Sequence, residues 1–467
     1  MRALRVAACA LIIAVALPQT ADGQALASGE AGALDSVATA ELRAWRAPGM
    51  ALAVVRGDSV VFRRAYGLAN VETGQPMTPD LVVSVASVSK TVTSVAAVKL
   101  SLEGKLDLGV PIRRYLSYLP EGLGAVTLEQ LLSHTAGLGE RTPWISPSLT
   151  GALAPVCQAM TDSALVTEPG RTWGYSNTAY VLAGCVIEAA LEAPFPRVMA
   201  ESLFGPLGMD RTSFNPLYAM TFPHAQGHDT RRDAPTVVRP FNSYPPIAPA
   251  GELVTTVDDL ARLARALLAD GRLDGARVLP PGILARLSEP YGYGGPLLGG
   301  ARDYGLGTFI REHRGVRVLE HEGVLSGFGA SLALAPDRGV AAVAVTNGRY
   351  SFPARSTQAA IEVAAGLTPS PTGGVRVALS PVDSAAAIGV YASTGDPVEI
   401  LSVEGRLVLR RGDRTYPIVA RQEGHWELPE YPALLPIPAT PLEIVRTGAG
   451  GAVSFIRLAW RLYPRVE

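Results

Sequence analysis

A serine and a lysine stand three residues apart at the start of an apolar helical pattern. Ser87 and Lys90 frame the segment Ser-Val-Ser-Lys, apolar residues recur at helical spacing as far as Leu102, and Gly104 closes the run. This spacing places the two side chains on one helix face. A serine hydroxyl is a weak nucleophile until a base takes its proton, and an amine can do so once burial lowers its pKa. The pair predicts nucleophilic catalysis by Ser87.

The rarity of lysine supports this interpretation of Lys90. The lysines of the chain are Lys90, Lys99 and Lys105, and every other basic side chain is an arginine. Arginine supplies charge but does not release its proton, so a lysine kept in such a chain is a candidate for proton transfer. A chance match to the four-residue spacing is the alternative explanation.

A second polar segment, Tyr175-Ser176-Asn177, follows Pro169-Gly170. A phenol beside an ammonium group is expected to titrate below its usual pKa, which would let Tyr175 carry a proton from Ser87 to a leaving group. Asn177 has the donors and acceptor to hold both the lysine amine and a substrate amide. Taken alone, a tyrosine is more often a half-buried packing residue.

A third segment, His321-Glu322-Gly323, precedes a late apolar run. Gly323 would let a strand approach a substrate closely, and the backbone N–H that follows it, on Val324, could face a developing oxyanion. Taken alone, the segment is more readily interpreted as a surface turn with an incidental histidine.

The elements that must position these residues include two hairpins with helices between them. Alternation and turn residues predict one hairpin from Met50–Val55 and Ser59–Arg64, and another from Phe328–Ala335 and Val340–Thr346. Cap signals predict further helices starting at Thr127 with Gln130, at Ser176 or Asn177, and at Thr255 or Thr256. Strands at both ends with helices between predict a sheet whose early and late strands meet, with an inserted helical lobe.

A small second domain is predicted after this unit. Residues 366–384 are rich in Pro, Gly, Ser and Thr and read as a linker between a domain at 30–365 and one at 385–467. Beyond the linker come short strand-like runs at Val398–Val403, Leu407–Arg410 and Ser454–Leu458, separated by turn signals. This pattern suits a small all-β barrel or sandwich.

The N-terminus reads as an export signal over residues 1–25. Arg2 and Arg5 precede an apolar run from Val6 to Leu17, which is too short to span a bilayer, and small residues follow. We therefore expect a periplasmic or secreted protein with no stable membrane span. In that oxidising environment Cys157 and Cys185 either pair or stay as two buried thiols, and the sequence does not choose between these outcomes.

Composition limits the partners. The 467 residues are 48% hydrophobic and carry a formal net charge of -1, so the chain builds a large core and has no broad positive field for nucleic acid. We expect a small-molecule or peptide substrate, no nucleic acid and no cofactor, and the oligomeric state is left open. His224 and His228 lack a third ligand at a familiar spacing and read as loop residues, so no metal site is predicted.

The three polar segments, in this order, resemble the serine β-lactamase and penicillin-binding protein family, in particular its class C branch, which includes D-aminopeptidases and esterases. The resemblance covers roughly residues 35 to 365 and extends to Val126–Leu138, Phe204–Met209 and Thr255–Leu260. It implies an α/β (α+β) fold of an antiparallel sheet flanked by helices, with an all-helical lobe, the site between them, and a barrel-like domain appended.

The resemblance also implies roles. Ser87 would be the acylated nucleophile, with Lys90 and Tyr175 sharing the base and acid roles. The implied substrate-binding residues are Asn177, His321, Gly323 and Val324, with an oxyanion hole formed by the N–H groups of Ser87 and Val324, whereas His134 is read as structural. By a weaker likeness, Asn347 and Arg349 resemble positions that meet a substrate carboxylate.

The chain departs from the family at the third segment, where β-lactamases usually have Lys-Thr-Gly. An exposed histidine near its usual pKa of about 6.5 is mostly neutral, although Glu322 could raise that pKa, so penicillin hydrolysis is less expected than peptidase or esterase activity. The prediction is thus an exported hydrolase that forms a Ser87 acyl-enzyme on an amide, ester or β-lactam carbonyl. The alternative is a slowly acylated or non-catalytic penicillin-binding receptor.

Overall fold

The computed structural model describes residues 25–143, 152–231, 234–240, 245–293, 302–325, 327–349, 351–367, 386–392, 397–422, 425–428, 440–446, 453–458 and 461–466. The predicted export signal, apart from its last residue, and almost all of the predicted linker lie outside the described residues. The domain division at 366–384 therefore stays a prediction.

Helices and strands are numbered separately in chain order. The helices are α1 (Ser28–Trp45), α2 (Val88–Leu102), α3 (Glu121–Ala125), α4 (Leu128–Leu132), α5 (Ala154–Gln158), α6 (Asn177–Leu191), α7 (Phe195–Met199), α8 (Gly205–Leu207), α9 (Pro216–Ala219), α10 (Ala248–Gly251), α11 (Val257–Leu268), α12 (Ile283–Leu287) and α13 (Ala354–Ala364). The strands are β1 (Gly49–Arg56), β2 (Ser59–Asn70), β3 (Gln75–Pro76), β4 (Val83–Ser84), β5 (His228–Asp229), β6 (Thr236–Val237), β7 (Val254–Thr255), β8 (Arg272–Leu273), β9 (Ala276–Arg277), β10 (Gly292–Tyr293), β11 (Asp303–Tyr304), β12 (Phe309–His313), β13 (Val316–Leu325), β14 (Phe328–Ala335), β15 (Val340–Thr346), β16 (Gly389–Tyr391), β17 (Val398–Val403), β18 (Arg406–Arg411), β19 (Arg414–Pro417), β20 (Val419–Gln422), β21 (His425–Leu428), β22 (Thr440–Arg446), β23 (Val453–Leu458) and β24 (Arg461–Pro464).

The main domain is built on a nine-stranded sheet in the order β10-β11-β12-β13-β14-β15-β1-β2-β3. Its strand pairs are antiparallel, and the two predicted hairpins meet where Met50 pairs with Thr346. The strands β14 and β15 are buried along their whole length because helices cover both faces of the sheet, which explains their unbroken apolar sequence. The antiparallel sheet and the meeting of early and late strands are confirmed.

The two faces of this sheet bury separate cores. On one face, α1 and α13 pack on alternate residues of β1, β14 and β15, such as Leu52, Ala333 and Ala342. On the other face, a larger core joins the sheet to α2, α6 and α11. The predicted helical lobe is confirmed on this second face, and α2 lies deep in it, with every residue from Val88 to Leu100 buried.

The predicted helix starts are also confirmed, each with its physical cause. Thr127 and Gln130 form a capping box at α4, Ser176 accepts the Ala179 N–H at α6, and Thr256 accepts the Asp259 N–H at α11. His228 differs from the expectation, since it lies on β5 and is fully buried instead of standing in a loop.

The helix α6 is apolar on all sides because the helical lobe encloses it. In the part of the chain that the structure describes, no single helix combines the length and apolar character of a bilayer span. One bent pair, α6 with the segment Phe195–Leu207, meets those two requirements jointly.

The C-terminal part is all β, as predicted. The strands β16 to β19 form one antiparallel sheet and β20 to β24 form another, and an isolated bridge between Tyr391 and Arg465 joins them. The two sheets share one apolar core that includes Ile400, Leu409 and Trp426. Two sheets around one core are the arrangement expected of a small barrel or sandwich.

Cys157 on α5 and Cys185 on α6 form a disulfide, which settles the question that the sequence left open. The bond ties the short α5 to the long α6 through a loop with a sequence separation of 28. Such a cross-link restricts the unfolded chain and therefore stabilises the folded one.

Replacing both cysteines by alanine is expected to lower the free energy of unfolding by about 3.5 kcal/mol, the value that loop-closure entropy gives for a loop of this length. Urea unfolding followed by tryptophan fluorescence measures the change. Reduction of the wild-type protein is the matched control, because it opens the bond without leaving a cavity. A loss below about 1 kcal/mol in both samples would contradict a stabilising role for the bond.

Candidate active site

Ser87 stands at the turn that leads from β4 into α2. Ala86 before it has φ of 47°, a left-handed conformation that turns the chain sharply, and Ser87 itself occupies the N-cap position. Its side chain makes no capping hydrogen bond to the helix, unlike those of Ser176 and Thr256. The hydroxyl is therefore not held by the backbone of α2.

Lys90 lies one turn along α2 and is fully buried. Its Nζ is 3.2 Å from the Ser87 Oγ, 2.7 Å from the Asn177 Oδ1 and 2.7 Å from the Ala250 carbonyl oxygen. Asn177 is the first residue of α6 and Ala250 belongs to α10, so three separate helices fix the position of this one amine.

The protonation state of Lys90 decides what it can do. Burial lowers the pKa of Lys90 well below its usual value, which favours the neutral amine. A neutral amine has two N–H donors and one lone pair. Since the Asn177 Oδ1 and the Ala250 carbonyl can take the two donors, the lone pair is left to accept the proton of the Ser87 hydroxyl.

Tyr175 comes to the same hydroxyl from the loop before α6. Its side chain is hydrogen-bonded to Ser87, and the Lys90 Nζ lies 4.7 Å from the centre of its ring. The expected lowering of its pKa is wrong, because burial raises the pKa of Tyr175 well above its usual value and outweighs the hydrogen bond to Ser87. Tyr175 is thus a protonated phenol at neutral pH and holds a proton that it can transfer.

An aromatic cluster holds the Tyr175 ring from behind. The ring centre of His134 is 4.4 Å from that of Tyr175 and 4.9 Å from that of Tyr304. His134 also accepts the Ser176 N–H at its Nδ1, 3.1 Å away. The histidine is buried and its pKa is lowered by burial, so it acts as a neutral spacer that orients the Tyr175 segment, in keeping with its structural interpretation.

The strand β13 passes directly beside the nucleophile. A Cβ placed on Gly323 would lie 2.1 Å from the Val85 carbonyl oxygen and 2.7 Å from the Ser87 nitrogen, so only glycine fits there. Within the described residues, the Ser87 N–H makes no hydrogen bond, and the Val324 N–H follows the point of closest approach. This geometry suits an oxyanion hole made by those two N–H groups.

His321 is brought near the site but differs from its expected state. It is 2% exposed, and burial lowers its pKa to about 3, so the histidine is neutral at any physiological pH. Its Nδ1–H donates to the Glu322 carbonyl, which leaves its Nε2 to accept the Tyr304 hydroxyl proton. Burial outweighs the hydrogen bond to the Glu322 carbonyl, which by itself raises the pKa of His321, so the expectation that the charge of Glu322 makes His321 more cationic is wrong.

The carboxylate of Glu322 forms an ion pair with Arg302 and does not contact His321. It lies 3.3 Å from the fully buried Arg302 guanidinium, which also binds Glu320 at 3.1 Å and stacks on the ring of Phe309. Neighbouring side chains on a strand point to opposite faces, which explains why His321 and Glu322 do not meet. The pair with Arg302 anchors β13 behind the site.

Several residues that complete the site carried no signal in the sequence. Glu140 accepts the Asn177 N–H at 2.7 Å, and Arg461 on β24 lies 3.8 Å from the same carboxylate. The Ala250 carbonyl could not be predicted, because any residue supplies one. Conversely, Asn347 is buried and bonds the backbone of Gly49, Leu68 and Ala69, so its predicted contact with a substrate is wrong.

Among the described residues, no group of three or more His, Cys, Asp or Glu side chains is arranged to hold a metal ion. The site brings together one hydroxyl, one amine and one phenol beside the backbone N–H groups of Ser87 and Val324. Such an array can move protons and stabilise a negative oxygen.

Comparison with known proteins shows the family of the chain. A family model described as Beta-lactamase matches residues 34–366, which confirms the resemblance noted in the sequence. Protein flp of Staphylococcus aureus (strain COL) is 24% identical over 328 residues, which cover 68% of this chain. The matched segment spans 63% of the length of that relative.

Solved structures extend the likeness to the C-terminal part. A structure described as SurE with D-Leu is 26% identical, covers 94% of this chain and all of its own, and has a TM-score of 0.74. An octameric penicillin-binding protein homologue from Pyrococcus abyssi covers 92% of this chain and 98% of its own, at 20% identity and a TM-score of 0.64. A class C beta-lactamase covers 74% of this chain and 98% of its own, at 21% identity and a TM-score of 0.61.

Proposed function

This chain belongs to the beta-lactamase family, and from that premise we propose that it is an exported serine hydrolase that forms an acyl-enzyme on Ser87. The observation that carries the proposal is the convergence on the Ser87 hydroxyl of a buried amine, Lys90 at 3.2 Å, and the hydrogen-bonded phenol of Tyr175. The acyl donor is an amide, an ester or a β-lactam.

The proposed acylation step moves one proton and exchanges one bond. The neutral Lys90 amine takes the Ser87 proton while the serine oxygen adds to the substrate carbonyl, and the N–H groups of Ser87 and Val324 stabilise the oxyanion. As the carbon to leaving-group bond breaks, the Tyr175 phenol gives its proton to the leaving group and recovers one from Lys90. A water molecule then hydrolyses the Ser87 ester by the reverse proton movements.

The substrate is proposed to be an ester or peptide in preference to a penicillin. The neutral His321 stands where β-lactamases usually have a lysine, so β13 does not offer a cation to a β-lactam carboxylate. The SurE structure with D-Leu, at 26% identity over nearly the whole chain, supports a D-configured amino acid as part of the substrate.

Export is part of the proposal. The Cys157–Cys185 disulfide supports it, because such bonds persist mainly in oxidising compartments outside the cytosol. We therefore place the mature protein in the periplasm or outside the cell.

The proposal predicts that a fluorophosphonate probe labels the mature protein at Ser87 and that Ser87→Ala abolishes the labelling. Ser101→Ala, on the last turn of α2, is the matched control and is expected to label like the wild type. Mass mapping of the adduct gives the position. A folded protein that carries no adduct on Ser87 would remove the proposal.

A substrate panel then separates the possible activities. We expect turnover of 4-nitrophenyl acetate or of a D-alanyl peptide, and much slower turnover of a chromogenic cephalosporin, because β13 carries His321 at the position where β-lactamases usually have a lysine. A stable Ser87 adduct with every substrate, and no turnover, would instead indicate a penicillin-binding receptor.

A further inference from the structure

The last strand of the chain forms part of the active-site surroundings. Leu462 on β24 is buried and packs against Gly174, where an added Cβ would lie 2.6 Å from the Leu462 Cδ1. Gly174 directly precedes Tyr175. The absence of a side chain at Gly174 thus lets the C-terminal domain sit next to the proposed proton donor.

Arg461, one residue earlier on β24, points to the same region. Its guanidinium lies 3.8 Å from Glu140, whose carboxylate accepts the Asn177 N–H, and Asn177 in turn accepts a hydrogen bond from Lys90. Burial has the largest influence on both pKa values: it lowers that of Lys90 and raises that of Tyr175. The positive charge of Arg461 adds to the lowering at Lys90 and opposes the rise at Tyr175. The cation therefore stands within electrostatic reach of the reacting groups.

The ion pair with Glu140 leaves Arg461 able to bind a second anion. A separation of 3.8 Å is longer than a hydrogen bond, and the side chain of Arg461 is 30% exposed. Within the described part of the chain, Arg461 has no closer charged partner. Its planar guanidinium can donate two parallel hydrogen bonds to one carboxylate.

Arg302 and Lys90 are not available to an anionic substrate. Arg302 is fully buried against Glu320 and Glu322, behind β13. Lys90 is neutral while it acts as the base, and its contacts are already given to Ser87, Asn177 and Ala250. Neither of these two cations therefore competes with Arg461 for a substrate carboxylate.

We propose that Arg461 is a specificity-determining residue that binds a carboxylate of the substrate, so that the C-terminal domain supplies the cation that β13 lacks. The proposal rests on the proposed function, since it concerns the substrate of the Ser87 acylation. It identifies the substrate class as carboxylate-bearing esters or amides.

The kinetic test compares three esters with the full-length mature protein and with Arg461→Gln. The esters are 4-nitrophenyl acetate, which is neutral, 4-acetoxybenzoate, which carries a carboxylate on the leaving group, and mono-4-nitrophenyl succinate, which carries one on the acyl group. We expect R461Q to lower kcat/KM for one of the two carboxylate esters at least about tenfold more than it lowers kcat/KM for the acetate, the loss typical of a charged hydrogen bond.

Two further variants exclude a merely structural effect. Arg461→Lys keeps the charge and should recover part of the loss. Arg410→Gln removes an arginine that pairs with Glu399 on the surface of the same domain, and it should behave as wild type with all three esters. An equal loss with the neutral and the carboxylate esters in R461Q would mean that Arg461 only holds the domains together, which overturns the proposal.

A binding measurement keeps this test separate from the Ser87 chemistry. Calorimetry with Ser87→Ala compares acetyl-D-alanine with its neutral amide, and neither ligand needs to be turned over. We expect tighter binding of the carboxylate, lost on adding R461Q, while the amide is unaffected. No preference for the carboxylate would overturn the role of Arg461, whereas failure of the proposed function would appear separately as absent probe labelling.

Discussion

Replacing Lys90 by arginine is expected to slow acylation of Ser87 by a factor of about 10² to 10⁴, the range that proton transfer by a positioned side chain contributes. Arginine keeps a positive charge but has no lone pair to accept the serine proton. The rate of fluorophosphonate labelling and the kcat for 4-nitrophenyl acetate both measure the loss.

Lys99→Arg is the matched control for this substitution. Lys99 lies on the same helix and pairs with Glu103, away from Ser87, so its replacement should leave both rates within about twofold. Because Lys90 is buried and arginine is larger, Lys90→Met provides a second variant that fits an apolar pocket better. Near wild-type rates in either Lys90 variant, in a folded protein, would refute its role as the base.

The pH dependence of the wild-type rate follows from the same residue. Since the pKa of Lys90 is lowered, its neutral form is already present at a pH where an ordinary lysine is protonated. The acylation rate should rise as the pH passes upward through that lowered pKa and then level off. This rising limb is expected to disappear in the Lys90→Met variant.

Replacing Gly323 by alanine is expected to lower kcat by about 10² to 10³, the cost of losing one oxyanion-hole donor. The new Cβ would meet the Val85 carbonyl oxygen at 2.1 Å and the Ser87 nitrogen at 2.7 Å, and both are backbone atoms. Either β13 or the turn at Ser87 must then move, which separates the two N–H groups that face the oxyanion.

Gly32→Ala is the control for the added methyl group. Gly32 lies on α1, outside the site, and a Cβ at this position meets nothing within 4 Å. Circular dichroism and the melting temperature show whether the Gly323 variant is folded. The prediction fails if that variant is folded and turns over 4-nitrophenyl acetate as fast as the Gly32 variant does.

The parts of the fold that the sequence predicted are those with local causes. The cap residues Thr127, Ser176 and Thr256 mark helix starts because each side chain bonds a backbone N–H within the next three residues. The hairpins of β1 with β2 and of β14 with β15 could be predicted as well, because alternation and turn residues act over a few positions. The position of Lys90 on one face with Ser87 follows from helical spacing in the same way.

The parts of the site that were missed depend on contacts between distant segments. The Ala250 carbonyl and Arg461 reach the site from α10 and β24, and neither residue type signals such a role. The pKa of Tyr175 was predicted in the wrong direction because proximity to Lys90 was counted and burial was not. The burial of His321 could not be predicted either, because it results from packing against an aromatic cluster whose members come from distant parts of the chain.

The pairing of β1 with β15 has a consequence for how the protein reaches its folded state. Met50 and Thr346 are neighbours in the sheet although about 300 residues separate them in the chain. Such remote pairings give a fold a high contact order, and the entropy of closing so large a loop must be lost before the pairing contributes stability. Refolding from denaturant should consequently be slow, and a nascent chain gains this strand pair only after most of its length is available.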